Sequence, residues 1–86
     1  MAEQLIGKVT HFFGKAGVAA IEITEGELKV GDTIHIVGHT SDFTQEVDSM
    51  QMEHAAVELA GTGDHVGIQV SEHAREQDRV YLVLPD

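Results

Sequence analysis

"GELKVGDTIHIVG", residues 26–38, decides how the rest of the chain is read. Gly26 offers one turn and the Gly31-Asp32 pair a second, because glycine reverses the backbone without a steric penalty and the Asp side chain caps nearby N–H groups. From Thr33 the residues alternate. Ile34 and Ile36 fall on one face of a strand, His35 and Val37 on the other.

The same period of two recurs on both sides of this stretch. Upstream, 5-LIGKVTHF-12 sets Gly7 and Val9 on one face and Lys8 and Thr10 on the other. A turn over 14–17 carries Lys15 at its tip, and 18-VAAIEI-23 places Ala19, Ile21 and Ile23 together. Downstream, 65-HVGIQV-70 turns Val66, Ile68 and Val70 inward, and 79-RVYLVL-84 supplies the last strand. The run 43-FTQEVDSMQM-52 changes phase: Phe43 and Val47 share one parity, Met50 and Met52 the other. No continuous strand puts both pairs in one core, so a β-bulge or sharp bend is predicted near Asp48–Ser49. The segment 54-HAAVELAGTGD-64 reads as a connection plugging one end of the core, with room for one helical turn at most. Six strands, with small residues such as Ala19 and Gly67 at crowded positions, predict an all-β, closed, Greek-key-like barrel, in which closure removes exposed edges.

Eighty-six residues, 42% apolar and 23% charged, predict one globular domain over 1–86. Without cysteine there is no disulfide scaffold and no thiolate chemistry. The opening Met-Ala-Glu-Gln is no basic leader, and no apolar run nears the roughly 20 residues of a membrane span, so the expectation is a soluble cytoplasmic protein without a membrane partner. The formal net charge is −10. Residues 1–41 hold five acids against three lysines, residues 42–86 ten acids against Arg75 and Arg79. Such a surface repels a phosphate backbone, so nonspecific DNA binding is not expected. Any RNA contact falls to the N-terminal third, where Lys8 and Lys15 stand in a stretch whose one acid before Glu22 is Glu3.

The motif at 26–38, together with "VDSMQM" at 47–52, "AGTGDHVGIQV" at 60–70 and "REQDRVYLV" at 75–83, resembles the second domain of translational GTPases such as elongation factor Tu, and within that group the small stand-alone proteins termed translation elongation factor-like. The likeness runs from about Gly7 to Val83 and rests on the order and spacing of the turns. One departure is Gln77-Asp78, where the family commonly has Gly-Asp before the last strand. The resemblance implies the elongation factor domain II type of barrel and a binding role. It implies no GTP hydrolysis, because the chain has no G-x-x-x-x-G-K-[ST] and Gly14-Lys15-Ala16 lacks its spacing and hydroxyl. In the family this domain helps hold the aminoacyl end of tRNA or touches ribosomal RNA, and Lys15 falls where a basic residue often occupies the first hairpin loop.

Six histidines raise the question of a metal. His35 and His39 are spaced as H-x-x-x-H, but on a strand entering a loop, whereas that spacing signifies a metal site mainly on a helix. His11 with His35, or His65 with an acidic neighbour, are the pairings left, and exposed or hydrogen-bonded histidines are the favoured reading, so no metal or other cofactor is expected. Ser41, Ser49 and Ser71 lack a G-x-S-x-G context, and acids spread over turns make a solvated surface. Phe12 and Phe13 are adjacent and cannot both enter the core from a strand, so one faces outward or into the loop beside Lys8, His11 and Lys15. An exposed aromatic next to positive charge stacks on bases or anchors a protein, whereas packing under the loop as a plug of the barrel end is the favoured reading.

The candidate partner surface is accordingly Lys8, His11, Phe13 and Lys15 with His35 and His39. The expected function is a non-enzymatic binding module for tRNA, the ribosome or a translation-related protein, its partner being a protein or structured RNA. The alternative is an acidic protein–protein adaptor, or an accessory subunit of an enzyme such as a collagenase-like peptidase, since related barrels occur at the C-terminus of that family.

Overall fold

A computed structural model describes residues 2–84 of the chain. Every regular element among them is a β-strand: β1 (Ala2–Phe13), β2 (Val18–Ile23), β3 (Glu27–Lys29), β4 (Thr33–Val37), β5 (Asp42–Glu46), β6 (Met50–Met52), β7 (Ala55–Val57), β8 (Leu59–Gly61), β9 (His65–Gln69) and β10 (Arg79–Leu84). Eight of them form one antiparallel sheet in the order β5-β4-β10-β1-β2-β9-β6-β7, and β3 pairs with β8 in a separate ribbon. The all-β class holds; the six-stranded closed barrel does not. The ladder ends at β5 on one side and β7 on the other, so neither sheet closes on itself.

The seam lies where the phase of 43–52 changes. β5 pairs with β4, the chain leaves the ladder over 47–49, and β6 pairs with β7 and β9. Phe43, Val47 and Met50 all reach the core because the two halves of this run belong to different parts of the sheet. The predicted bend is therefore a change of partner, and the chain itself crosses the seam. A side chain also bridges it: Gln45 Nε2 donates to the Gln69 carbonyl at 2.9 Å, and the Ser71 N–H donates to Gln45 Oε1 at 2.8 Å.

Along β2, β4 and β9 the core alternates as the pattern demands, with Ala19, Ile21, Ile23, Ile34, Ile36, Val66 and Ile68 buried. Each fully buried isoleucine contributes about 1.5–3 kcal/mol. β1 departs from the expected alternation. Its inward residues are Ile6, Val9 and Phe12, three apart, because the register shifts between Leu5 and Gly7 against β10 and between Val9 and His11 against β2. Gly7 is the point of close approach: a Cβ there would run into the Glu22 carbonyl. The segment 54–64 is not an irregular plug, since β7 and β8 occupy it and β8 carries the buried Ala60 against β3.

One turn is built three times. In Lys29–Asp32, Gly61–Asp64 and Arg75–Asp78 the last N–H donates to the first carbonyl at 3.0–3.1 Å, and the Asp carboxylate accepts from the first N–H at 2.9–3.0 Å. The third position has positive φ each time: 99° at Gly31, 93° at Gly63 and 75° at Gln77. The departure at Gln77 leaves the turn intact and puts a non-glycine residue where its two counterparts have glycine. No helix among the described residues is long and apolar enough to cross a membrane.

Candidate functional site

The outer face of β1, β2 and β9 gathers part of the expected surface. Register alone makes two rows: Lys8 beside Glu22 beside His65, and His11 beside Ala20 beside Gly67 beside Gln51. Since Ala20 and Gly67 carry almost no side chain, a shallow trough of about 300 Å³ lies over them, bordered by Phe13, Glu53, His54 and His65. Phe12 turns inward and packs on His73 with ring centroids 4.4 Å apart, which leaves Phe13 outward and 50% exposed. The His11 ring meets Phe13 edge-on at 4.5 Å. Lys8, His11 and Phe13 thus share one face, with Lys15 exposed in the turn beyond them.

Three side chains on this face lie beside carboxylates of the same chain. Lys8 Nζ lies 4.0 Å from Glu22 Oε1, His65 Nε2 lies 4.0 Å from Glu22 Oε2, and His11 Nδ1 lies 3.4 Å from Glu76 Oε1. A phosphate would have to compete with carboxylates already in place, at an exposed surface where each pair contributes little.

His35 belongs to a different part of the surface. From the middle of β4 its Nδ1 reaches Glu3 Oε2 at 2.9 Å, across β10, and its Nε2 reaches Asp42 Oδ1 on β5 at 2.5 Å. Tyr81 of β10 lies alongside, 6.4 Å between ring centroids. Carboxylates can only accept here, so an imidazole bonded to both donates from both nitrogens and is the protonated form. The hydrogen bond to Asp42 raises its pKa above 6.5, partial burial opposes this, and the bond to Glu3 adds to the rise. His39 is exposed at the far end of β4, in a cleft with Gly38, Arg75, Asp78 and Arg79. His35 and His39 therefore do not make one edge.

His11 is not brought to His35: its neighbours are Phe13 and Glu76, those of His35 are Glu3 and Asp42. Among the described residues no group of three or more His, Asp or Glu is arranged to hold a metal ion. The Ser41 hydroxyl donates to the His73 carbonyl at 3.5 Å, and Ser71 Oγ lies 3.3 Å from Gln45 Oε1, so neither serine is bonded to an imidazole. Sequence reasoning passed over Glu3 and Asp42, whose link to His35 depends on strands far apart in the chain.

Residues 16–80 match the family model described as elongation factor Tu domain 2. The chain belongs to the elongation factor Tu domain 2 family. Among curated relatives it is 47% identical over 79 residues to an uncharacterized protease of Methanocaldococcus jannaschii, covering 91% of this chain and 19% of the relative. It is 39% identical over 77 residues to a collagenase of Porphyromonas gingivalis, covering 88% of this chain and 21% of the collagenase. The chain thus spans about one fifth of the length of these relatives. Two crystal structures of the C-terminal domain of a Geobacillus thermoleovorans protein named as a U32 peptidase share the fold. One has a TM-score of 0.84 at 18% identity over 90% of this chain and 96% of that one, the other 0.86 at 17% over 94% and 93%. The fold therefore recurs in the C-terminal domain of a protein named as a U32 peptidase.

Proposed function

We propose that the chain is a non-enzymatic accessory binding module that works with a collagenase-like, U32-type peptidase. The observation that carries this reading is the 47% identity over 91% of the chain to one fifth of a protein named as a protease. The module contributes recognition, and the chemistry resides in the peptidase. The translation reading has less support: both curated relatives carry protease names, and Lys8 and His11 stand beside carboxylates of their own chain.

The test uses the Porphyromonas gingivalis collagenase with its matching fifth deleted. Purified chain is added to it, and association is followed by sedimentation velocity and by recovery of the deleted enzyme's binding to protein substrate. A stable complex, or recovered substrate binding, supports the module. Failure of both, together with ribonuclease-sensitive capture of tRNA or ribosomal particles from extract, replaces it with the translation reading.

A further inference from the structure

Around the C-terminal end of β10 an apolar floor meets an acidic rim. Two cavities of about 420 and 470 Å³ lie on either side of this end and share Asp32, Val83 and Leu84. The first is completed by Glu27, Lys29, Leu59 and Leu82, the second by Glu3, Gly31, Thr33 and Thr44. Leu59 is 54% exposed, the most exposed large apolar side chain among the described residues, and Val30 is exposed next to Gly31. An apolar residue left in water within a concave surface, rather than on a convex one, marks a place where a partner gains from covering it.

The rim determines what kind of partner. Glu27 and Asp32 stand around Leu59 and Leu82 in the first cavity against a single cation, Lys29, and Glu3 and Asp32 line the second, whose lining holds no lysine or arginine. Asp32 Oδ2 accepts the Lys29 backbone N–H, which fixes that carboxylate without neutralising it. Glu3 is held by His35, whose one positive charge is shared with Asp42, so that trio remains net negative. A phosphate backbone is repelled here. A second copy of the chain is poorly suited as well, because it brings a net charge of −10 with only five cations against fifteen acids.

We infer that these two adjoining cavities dock a basic peptide segment of a partner protein, seating a bulky aliphatic side chain against Leu59, Leu82 and Leu84 in the first and setting lysine or arginine beside Glu27 and Asp32 there and beside Glu3 in the second. The inference goes beyond the accessory-module reading and does not depend on which protein supplies the segment.

The test is fluorescence anisotropy with a labelled Lys-Val-Arg-Leu-Lys-Val-Arg peptide, against one with its Val and Leu replaced by Ser and one with its Lys and Arg replaced by Glu. Saturable binding of the first is expected, about tenfold weaker binding of the serine peptide, and none of the acidic one. Leu59→Ser should weaken binding about tenfold and Glu27→Gln about threefold, while Glu72→Gln, an equal charge change at an exposed residue outside the groove, should leave it unchanged. Circular dichroism establishes that each variant is folded. Absence of saturable binding, equal binding of the serine peptide, or equal loss in Glu72→Gln would overturn the inference. So would a concentration-dependent dimer abolished by Leu59→Ser, which would give the groove to a second copy. None of these readouts involves a peptidase, so a failure here is distinct from a failure of the proposed function.

Discussion

His35 and Asp42 are joined by a 2.5 Å contact from Nε2 to Oδ1, and the opposite ring nitrogen is already committed to Glu3. The imidazolium thereby ties the start of β1 to the edge strand β5 over the outer face of β10, where Tyr81 also faces it. Glu3 and Asp42 both favour the charged ring, and the raised pKa has a fixed sign for stability. The contribution is complete below the unfolded value of about 6.5 and is lost as pH rises through the higher folded value. Asp42 is largely exposed, which limits the effect to about 0.5–1 kcal/mol. Urea denaturation between about pH 5.5 and 8.5 should show wild-type stability falling relative to His35→Gln, which stays neutral throughout. Parallel curves for the two proteins would mean that folding does not raise the pKa of the ring.

Gly38 is fixed by Asp78. The Asp78 carboxylate is buried, accepts the Arg75 N–H at 2.9 Å, and fills the position that a Cβ on Gly38 would take. The same residue's backbone carbonyl accepts from Val9 at 2.8 Å, so it cannot retreat without disturbing β1. Gly38→Ala should therefore cost about 1–3 kcal/mol in a urea melt. Gly61→Ala, where an added Cβ meets nothing within 4 Å, should stay within about 0.5 kcal/mol. Equal losses at both positions would mean that the clash with Asp78 does not set the cost at Gly38.

The legible parts of this fold are those governed by local pattern. Alternation in β2, β4 and β9, the Gly-Asp turns and the phase break after Val47 all follow from neighbours a few residues apart. The bulges of β1 do not, because whether Gly7 or Ile6 faces the core depends on β2 and β10 shifting against it. β3, β7 and β8 span three residues each, too short for alternation to show, and exist because a partner strand is present. Closure does not follow from the sequence for a related reason: small residues such as Ala19 and Gly67 suit a curled sheet, but closing it requires the edge strands β5 and β7 to pair, and they do not. Of the expected surface, Phe13 was accessible to parity reasoning once Phe12 took the core side. The carboxylates of His35 were not, since Glu3 lies 32 residues away in sequence.

Gln77 holds a φ of 75° in a turn whose two counterparts use Gly31 and Gly63 at the same position. Left-handed backbone costs a residue with a Cβ about 1 kcal/mol relative to glycine, and the added chain entropy of glycine in the unfolded state removes part of the gain. Gln77→Gly is expected to stabilise the protein by about 0.5 kcal/mol, raising the urea midpoint without changing the slope. Gly63→Gln, the reverse exchange in the equivalent turn, should lose about 1 kcal/mol. A loss in Gln77→Gly would show that its side chain contributes more than its backbone conformation costs.

Gln45 performs across the seam what a strand ladder performs elsewhere, one donor to the Gln69 carbonyl and one acceptor for the Ser71 N–H. Both ends of this link are at the surface, so water replaces the bonds when the amide is removed, and Gln45→Ala should cost only about 0.5–1.5 kcal/mol. Its kinetic effect should be larger and local. The Ser71 amide loses its acceptor while Val70, bonded to the Gly17 carbonyl at 2.8 Å, keeps its own. Hydrogen exchange followed by NMR should thus accelerate at Ser71 and not at Val70. Gln45→Glu separates the two bonds, keeping an acceptor for Ser71 while placing a carboxylate against the Gln69 carbonyl, and should protect Ser71 yet still destabilise the seam. If Ser71 exchanges at the same rate in all three proteins, the side-chain bridge does not hold the sheet edges together, and the crossing chain at 47–49 does so alone.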